Sequence, residues 1–311
     1  MKPVRLLAAL LAVLAFLAAC SPMSVPTPLD DPERLPSQAP VDVSGPVGVA
    51  PGLTYPIPFD VVLPGSRTVW PGTGDRLEDG GPLLLNLYAQ DGRDGTVLQN
   101  TFADAPAAYT MSAESLGGAL YEALEGNRVG ARLLVLDEAE GVPVILVVDV
   151  LPTRASGTEV PVPEGLPTVT RDPQGAPTVT IPAGAPPPAE LQVTRLVRGT
   201  GEQVEAGQIV TIEFTGVAWS TGAVFDSTWG EGSPPQSTMI GIGQVIEGWD
   251  QGLLEQAVGS QVMLVVPPSL GYADTSSPLA GETLVYVVDI LDSHYPDAPE
   301  QQAAEPPAQE G

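Results

Sequence analysis

Apolar and polar residues alternate over 209–217, with Val210, Ile212 and Phe214 on one side of the run. A period of two is that of a strand with one buried face. The same alternation occurs about 127 positions earlier, in Leu83, Leu85 and Leu87. Further strands are predicted near 191–198, 223–226, 238–240, 261–266 and 283–291. Residues 249–258 are different, with apolar side chains at 249, 253, 254, 257 and 258. That is helical spacing and predicts a helix over 249–256, with a counterpart over 120–125. Antiparallel strands with one short helix in each region give an α+β fold class.

The two alternating runs belong to a longer repeat. Gly72-Thr73-Gly74 matches Gly199-Thr200-Gly201, and Asp94-Gly95-Thr96-Val97 matches Thr221-Gly222-Ala223-Val224, a hairpin turn in each case. Val129-Gly130 matches Val258-Gly259, and Val147-Val148-Asp149-Val150-Leu151 matches Val287-Val288-Asp289-Ile290-Leu291. Residues 64–152 therefore read as a second copy of one fold. The copies differ where a cavity is expected. Leu98-Gln99 stands for Phe225-Asp226, Gly117 and Leu120 stand for Ile246 and Trp249, and the loop carrying Tyr272 shrinks to 138–142.

Length and composition fit this organisation. A chain of 311 residues suggests about two domains. The formal charge of -26, with Lys2 the only lysine, argues against a nucleic-acid partner. Lys2 and Arg5 precede an apolar run over 6–19. The run is short for a membrane span but suits a secretory signal, expected over 1–19. It ends in Leu17-Ala18-Ala19-Cys20, which resembles the bacterial lipobox, so Cys20 is expected to carry lipid. Ordinary cleavage leaving a free thiol is the alternative. Cys20 is the only cysteine, so no intramolecular disulfide can form. Residues 20–49 read as a flexible tether with a reach on the order of 30 Å. Residues 153–188 are proline-rich and read as an extended, semi-rigid linker that separates the two domains. Pairing of 160–181 as an edge strand is the alternative, disfavoured by the prolines. Residues 293–311 read as a disordered tail, and His294 at its start is given no catalytic role.

The candidate chemistry gathers in 222–250. Phe225-Asp226-Ser227 ends a short strand, and Val245-Ile246-Glu247-Gly248-Trp249 opens the helix. Taken with Val210-Thr211-Ile212-Glu213-Phe214-Thr215-Gly216, Pro267-Pro268-Ser269-Leu270-Gly271-Tyr272 and Thr283-Leu284-Val285-Tyr286-Val287-Val288-Asp289-Ile290, they occur in family order. This set, from about 191 to 292, resembles the FKBP-type peptidyl-prolyl isomerases. The resemblance implies two FKBP-like domains, each a twisted antiparallel sheet wrapped around a short helix: a degenerate one over 50–152 and an isomerase domain over 189–292.

By the same resemblance, Trp249 forms the floor for the proline ring, with Phe214, Phe225 and Tyr286 as walls and Val245 and Ile246 on one side. The Ile246 N–H and the Tyr272 hydroxyl would bond substrate carbonyls, and Asp226 would place its carboxylate near the twisting amide. Phe214 stands where the family has Tyr, which removes a hydroxyl partner from Asp226. Gln236 stands where an aromatic residue closes the pocket, and the shortened loop after Tyr272 offers Pro278 and Leu279 as contacts. Rotation about X–Pro needs no acid, base or nucleophile, and nothing in the chain resembles a hydrolytic triad, a phosphate loop or a zinc site. No metal or cofactor is expected. The implied function is a lipid-anchored isomerase on the outer face of the cytoplasmic membrane, or in a periplasm where an outer membrane exists. Its partners would be proline-containing, partly folded exported proteins and macrolides such as tacrolimus. The alternatives are a surface-anchored holding chaperone or adaptor that binds proline segments without accelerating rotation, and a scaffold that docks through its first domain.

Overall fold

A computed structural model describes residues 38–230, 233–273 and 275–296, so the signal, Cys20 and most of the tether lie outside the described residues. In chain order its elements are β1 (Asp42–Ser44), β2 (Gly52–Thr54), β3 (Gly65–Trp70), β4 (Pro82–Asp91), β5 (Val97–Asn100), β6 (Ala107–Thr110), α1 (Ala113–Leu116), α2 (Gly118–Leu124), β7 (Arg132–Ala139) and β8 (Val142–Leu151). They continue as β9 (Thr158–Glu159), β10 (Thr168–Arg171), β11 (Pro177–Thr180), β12 (Gln192–Arg198), β13 (Ile209–Ala218), β14 (Val224–Ser227), β15 (Gln236–Met239), α3 (Glu247–Gly252), β16 (Gln261–Val266) and β17 (Leu284–His294).

Two large sheets are antiparallel throughout. One has the order β3-β7-β8-β4-β5, with β6 also on β4; the other has β9-β12-β16-β17-β13-β14, with β15 also on β13. Apart from β9, the strand order is the same in both. The registers agree too, since Leu87 lies opposite Val148 and Phe214 opposite Val288. The paired glycines have a common cause. A Cβ on Gly72 would sit 2.4 Å from the Val129 oxygen, and one on Gly199 would sit 2.3 Å from that of Val258. Such approaches exclude any side chain. The Gly74 and Gly201 N–H groups then donate to those same two carbonyls, each at 3.0 Å.

Strands β16 and β17 are buried on both faces, which is why they read as near-continuous apolar runs. One face packs on α3 and the aromatic side chains described below. The other carries Val217, Met263, Val265, Val285 and Val287 and is covered by Val162, Leu166, Val169, Val179 and Ile181. The linker expected over 153–188 is thus folded: β9 joins the sheet edge on β12, and β10 and β11 form a hairpin across its outer face. Its prolines do not prevent this, because Pro177 opens a strand that pairs on one side only.

The tether needs the same correction at its end. β1 pairs with β2, and Val41 and Phe59 are buried against Leu134, Ile145 and Val147 on the outer face of the first sheet. Covering apolar sheet faces favours both segments more than chain entropy opposes them. The two sheets are also in contact, through Leu84, Leu151 and Leu291. His294, expected in a disordered tail, ends β17, with its ring nitrogens on the Asp292 carboxylate at 2.8 Å and the Asp104 carbonyl at 3.2 Å.

The predicted helices are displaced. α3 covers Glu247–Gly252 rather than 249–256, and α2 covers Gly118–Leu124 with α1 ahead of it. Glu247 and Asp250 suit the positive N-terminal end of α3. Beyond Gly252 the chain turns away, with Glu255 at φ 63° and its N–H on the Val204 carbonyl at 2.9 Å. Leu253 and Val258 still reach the core, by way of turns rather than a helix.

Candidate functional site

The site is built where β13, β14, β17 and α3 converge. Gly216 of β13 lies opposite Asp226 on one side and Tyr286 on the other. A Cβ there would sit 2.6 Å from Phe225 Cζ and 3.1 Å from Tyr286 Cε1, so its absence lets those rings meet. They do so edge to face at 5.6 Å and 90°. Trp249 stands edge to face with both Phe214 and Tyr286, at 5.2 Å in each case. Phe214 and Tyr286 are 6.2 Å apart and tilted. These are the favoured geometries of aromatic pairs, and four rings held this way form a rigid apolar cradle.

Two further contacts fix α3. A Cβ on Gly248 would come within 2.4 Å of Val266 Cγ1, and one on Gly252 within 2.6 Å of Leu264 Cδ2. The helix therefore lies against β16 on its two glycines. Gly248→Ala gains helix propensity of up to about 1 kcal/mol, but overpacking should cost about 1–3 kcal/mol and displace Trp249. The expected outcome is a lower thermal midpoint with an altered near-ultraviolet circular dichroism signal from the displaced Trp249, measured on the same preparation. Asp250 holds the loop ahead of the helix, accepting the Gly241 and Gly243 N–H groups at 2.7 Å each. That loop presents Val245 and Ile246. In the sequence, the sign of this clamp is two glycines followed by a carboxylate in the first helical turn.

Most of the expected side chains come together. Phe225, Val245, Ile246, Tyr272 and Leu279 all pack, partly buried, on the cluster that contains Phe214, Trp249 and Tyr286. Ile246 precedes the helix with extended backbone, its carbonyl accepting from the Trp249 and Asp250 N–H groups, while its own N–H bonds none of the described residues. Asp226 is exposed at the rim. Burial first, then the Tyr272 hydroxyl, then the Asp226 carboxylate push the Tyr286 phenol above its ordinary value, which puts these three groups in one neighbourhood. Gln236 is exposed at the start of β15, opposite Ile212 and so on the same sheet face as that core residue. At the corresponding places of the first sheet stand Leu87, Leu98, Leu120 and Leu146, an aliphatic set without a cradle.

Known proteins resemble the part of the chain that carries these rings. Residues 200–291 match the family model of the FKBP-type peptidyl-prolyl cis-trans isomerases. The chain is 41% identical to an FK506-binding protein of Streptomyces anulatus over 119 residues, 37% of this chain and 94% of that protein. It is 33% identical over 117 residues to a probable FK506-binding protein of Corynebacterium glutamicum, covering 37% of this chain and 96% of the relative. The chain belongs to the FKBP-type peptidyl-prolyl isomerase family. A solved structure, FkpA from Escherichia coli, is similar at 25% identity and a TM-score of 0.32, over 43% of this chain and 54% of that one.

Membership makes this protein a peptidyl-prolyl cis-trans isomerase. The matched span begins after β12 and contains all four rings of the cradle, whereas β1–β11 lie outside it. An FKBP-type enzyme has little bond chemistry to perform. The X–Pro amide rotates slowly because its C–N bond is partly double, and the twisted state loses that resonance.

Proposed function

We propose that the protein assists the folding of exported proteins by enclosing X–Pro bonds in the Phe214–Phe225–Trp249–Tyr286 cradle. The observation that carries this is the edge-to-face packing of those rings, with Ile246 packed on the same cluster and its N–H left unbonded by the described residues. The proline ring rests on Trp249. The Ile246 N–H and the Tyr272 hydroxyl hold the flanking carbonyls, and Asp226 faces the twisting amide. A planar, hydrated amide loses its water on entering, whereas the less polar twisted amide loses less. The enclosure therefore favours the twisted state by differential binding. FK506-type macrolides such as tacrolimus are proposed ligands of the same cradle.

In this reading the first sheet is a degenerate FKBP-like domain, kept for structure, spacing or substrate contact. Its strand order and glycine contacts support that reading, and its aliphatic residues mark the lost site. Lipidation at Cys20 would hold the enzyme at the outer face of the cytoplasmic membrane or in a periplasm, where its clients are proline-containing and partly folded.

The test is acceleration of proline tetrapeptide isomerisation with varied residues before proline. Asp226→Ala is expected to lower kcat/KM roughly tenfold, about 1.4 kcal/mol of transition-state stabilisation. One observation favours a holding chaperone: with Phe at 214, no hydrogen bond joins the Asp226 carboxylate to the described residues. A folded protein that binds proline peptides without accelerating their rotation would establish that second reading.

A further inference from the structure

The chain leaving Asp226 is stapled to the strand that carries Phe214. The Phe214 N–H donates to Thr228 Oγ1 at 2.8 Å, and the Thr228 N–H returns to the Phe214 carbonyl at 3.0 Å. The Thr228 hydroxyl donates to Glu213 Oε2. Beside it, the Ser227 and Thr215 hydroxyls lie 3.0 Å apart. Thr228 is 2% exposed and Glu213 8%.

The first sheet contains the same staple in neutral form. There the Leu87 N–H donates to Thr101 Oγ1 at 2.8 Å, and the Thr101 hydroxyl donates to Asn86 Oδ1 at 3.0 Å. Asn86 lies opposite Asp149 in register, as Glu213 lies opposite Asp289. An amide thus makes the corresponding bonds in the half without an aromatic cradle. A carboxylate in its place carries a cost, since burial and then the Asp289 charge push Glu213 up to about 7. The charge occurs in the half that has the aromatic cradle and not in the half that lacks it.

We propose that Glu213 is a positioning residue of the isomerase: its carboxylate, acting through Thr228, holds the Phe214 wall and the strand end bearing Asp226 in the working arrangement, and its protonation relaxes both. This rests on the cradle being the isomerase site. An ionised carboxylate only accepts, so it fixes the Thr228 O–H and leaves an oxygen lone pair for the Phe214 N–H. A protonated carboxyl can donate to Thr228 instead. The threonine hydroxyl then turns towards the Phe214 carbonyl, 3.4 Å away and already bonded to the Thr228 N–H. From β17 the charged group facing Glu213 is Asp289, itself pushed up to about 6 by burial, against the pull of its bonds to Ala155 and Gln261 and of Arg171 and Arg154 in the covering segment. From the β14 side the neighbour is neutral Thr228, and β15 places neutral Ser237 on Thr211.

Activity and stability should run in opposite directions with pH. The Glu213 value in the folded state, about 7, lies above its ordinary 4.5, so the folded protein binds more protons between these limits. Its contribution to stability is therefore lost as pH rises through that window, while the active, ionised form accumulates.

The experiment uses the full chain and proline tetrapeptides between pH 6 and pH 8, with thermal unfolding alongside. The unsubstituted enzyme should lose about five- to tenfold in kcat/KM from pH 8 to pH 6, the change in ionised fraction of a group titrating near 7. Glu213→Gln should be two- to fivefold slower at pH 8, flat down to pH 6, and more stable than the parent at pH 8. Asp289→Asn should keep the fall and move its midpoint lower. Thr228→Val should be slow and flat, and Thr228→Ser should restore the fall. A flat parent profile, or a fall retained in Glu213→Gln, overturns the proposal. If folded Trp249→Ala keeps its activity, the cradle reading falls and the positioning role with it. If Trp249→Ala is inactive while the parent profile is flat, only the positioning role falls.

Discussion

Trp249→Ala is expected to lower kcat/KM for proline tetrapeptides by roughly 100-fold, the largest activity change of any single substitution in this chain. Trp249 touches two of the other three rings and is the floor of the proposed site. Removing it opens the enclosure to water and takes away most of the apolar surface available to the proline ring. About 2–3 kcal/mol of transition-state binding is at stake if that surface is fully used. The same change leaves a cavity beside Leu253 and Leu264, both fully buried, and should destabilise the fold by about 3–5 kcal/mol. Trp249→Phe separates the two effects, because it keeps a ring in contact with Phe214 and Tyr286. Its expected cost is about tenfold in activity with the near-ultraviolet circular dichroism retained. A folded Trp249→Ala protein within threefold of the parent would remove the cradle as the site.

Arg132→Ala is expected to give the largest loss of stability, about 3–5 kcal/mol. Arg132 and Asp149 are both fully buried, joined at 2.6 and 2.7 Å. The guanidinium also donates to the Gly45 and Val49 carbonyls at 2.8 and 2.6 Å, and the Gly48 N–H donates to Asp149 at 2.7 Å. This network fastens the β1–β2 hairpin to the outer face of its sheet. Alanine would strand one buried carboxylate and two carbonyls, and burial already pushes Asp149 up against the pull of Arg132. The second sheet does the corresponding work with other residues: Gln261 and the Ala155 N–H bond Asp289 at 2.6 Å each, and Arg171 donates to Gln261 at 2.8 Å. Urea unfolding followed by fluorescence measures the effect. The double change Arg132→Met with Asp149→Leu should recover at least half of it, since an apolar pair leaves no buried charge. A loss below about 1 kcal/mol for Arg132→Ala would show that the pair contributes little net stability.

Much of the site could be read from the sequence because it rests on local pattern. Val210, Ile212 and Phe214 share a strand face by period two, and Phe225-Asp226 and Ile246 to Trp249 are short segments whose order survives any packing. Gln236 has a place in an order of motifs, but its sheet face is set by the register of β15 against β13, which puts it opposite Ile212. The proline-rich stretch 153–188 gives no period of its own. Its hairpin is decided by the apolar outer face it covers, part of which lies on a strand far along the chain, at Val285 and Val287.

The sequence by itself determined the strand periodicity, the repeat of Gly72 and Gly74 at Gly199 and Gly201, the order of the aromatic residues and the loss of that set from the first half. These depend on neighbours along the chain and on the steric demands of single residues. Only the tertiary structure decided that both outer faces are covered, that the two sheets touch through Leu84, Leu151 and Leu291, and that Glu213 and Asp289 are buried opposite one another. On sequence pattern alone, Glu213 alternates with apolar residues and reads as a solvated carboxylate. Packing takes away its water, and desolvation is a property of the packed molecule rather than of any stretch of it.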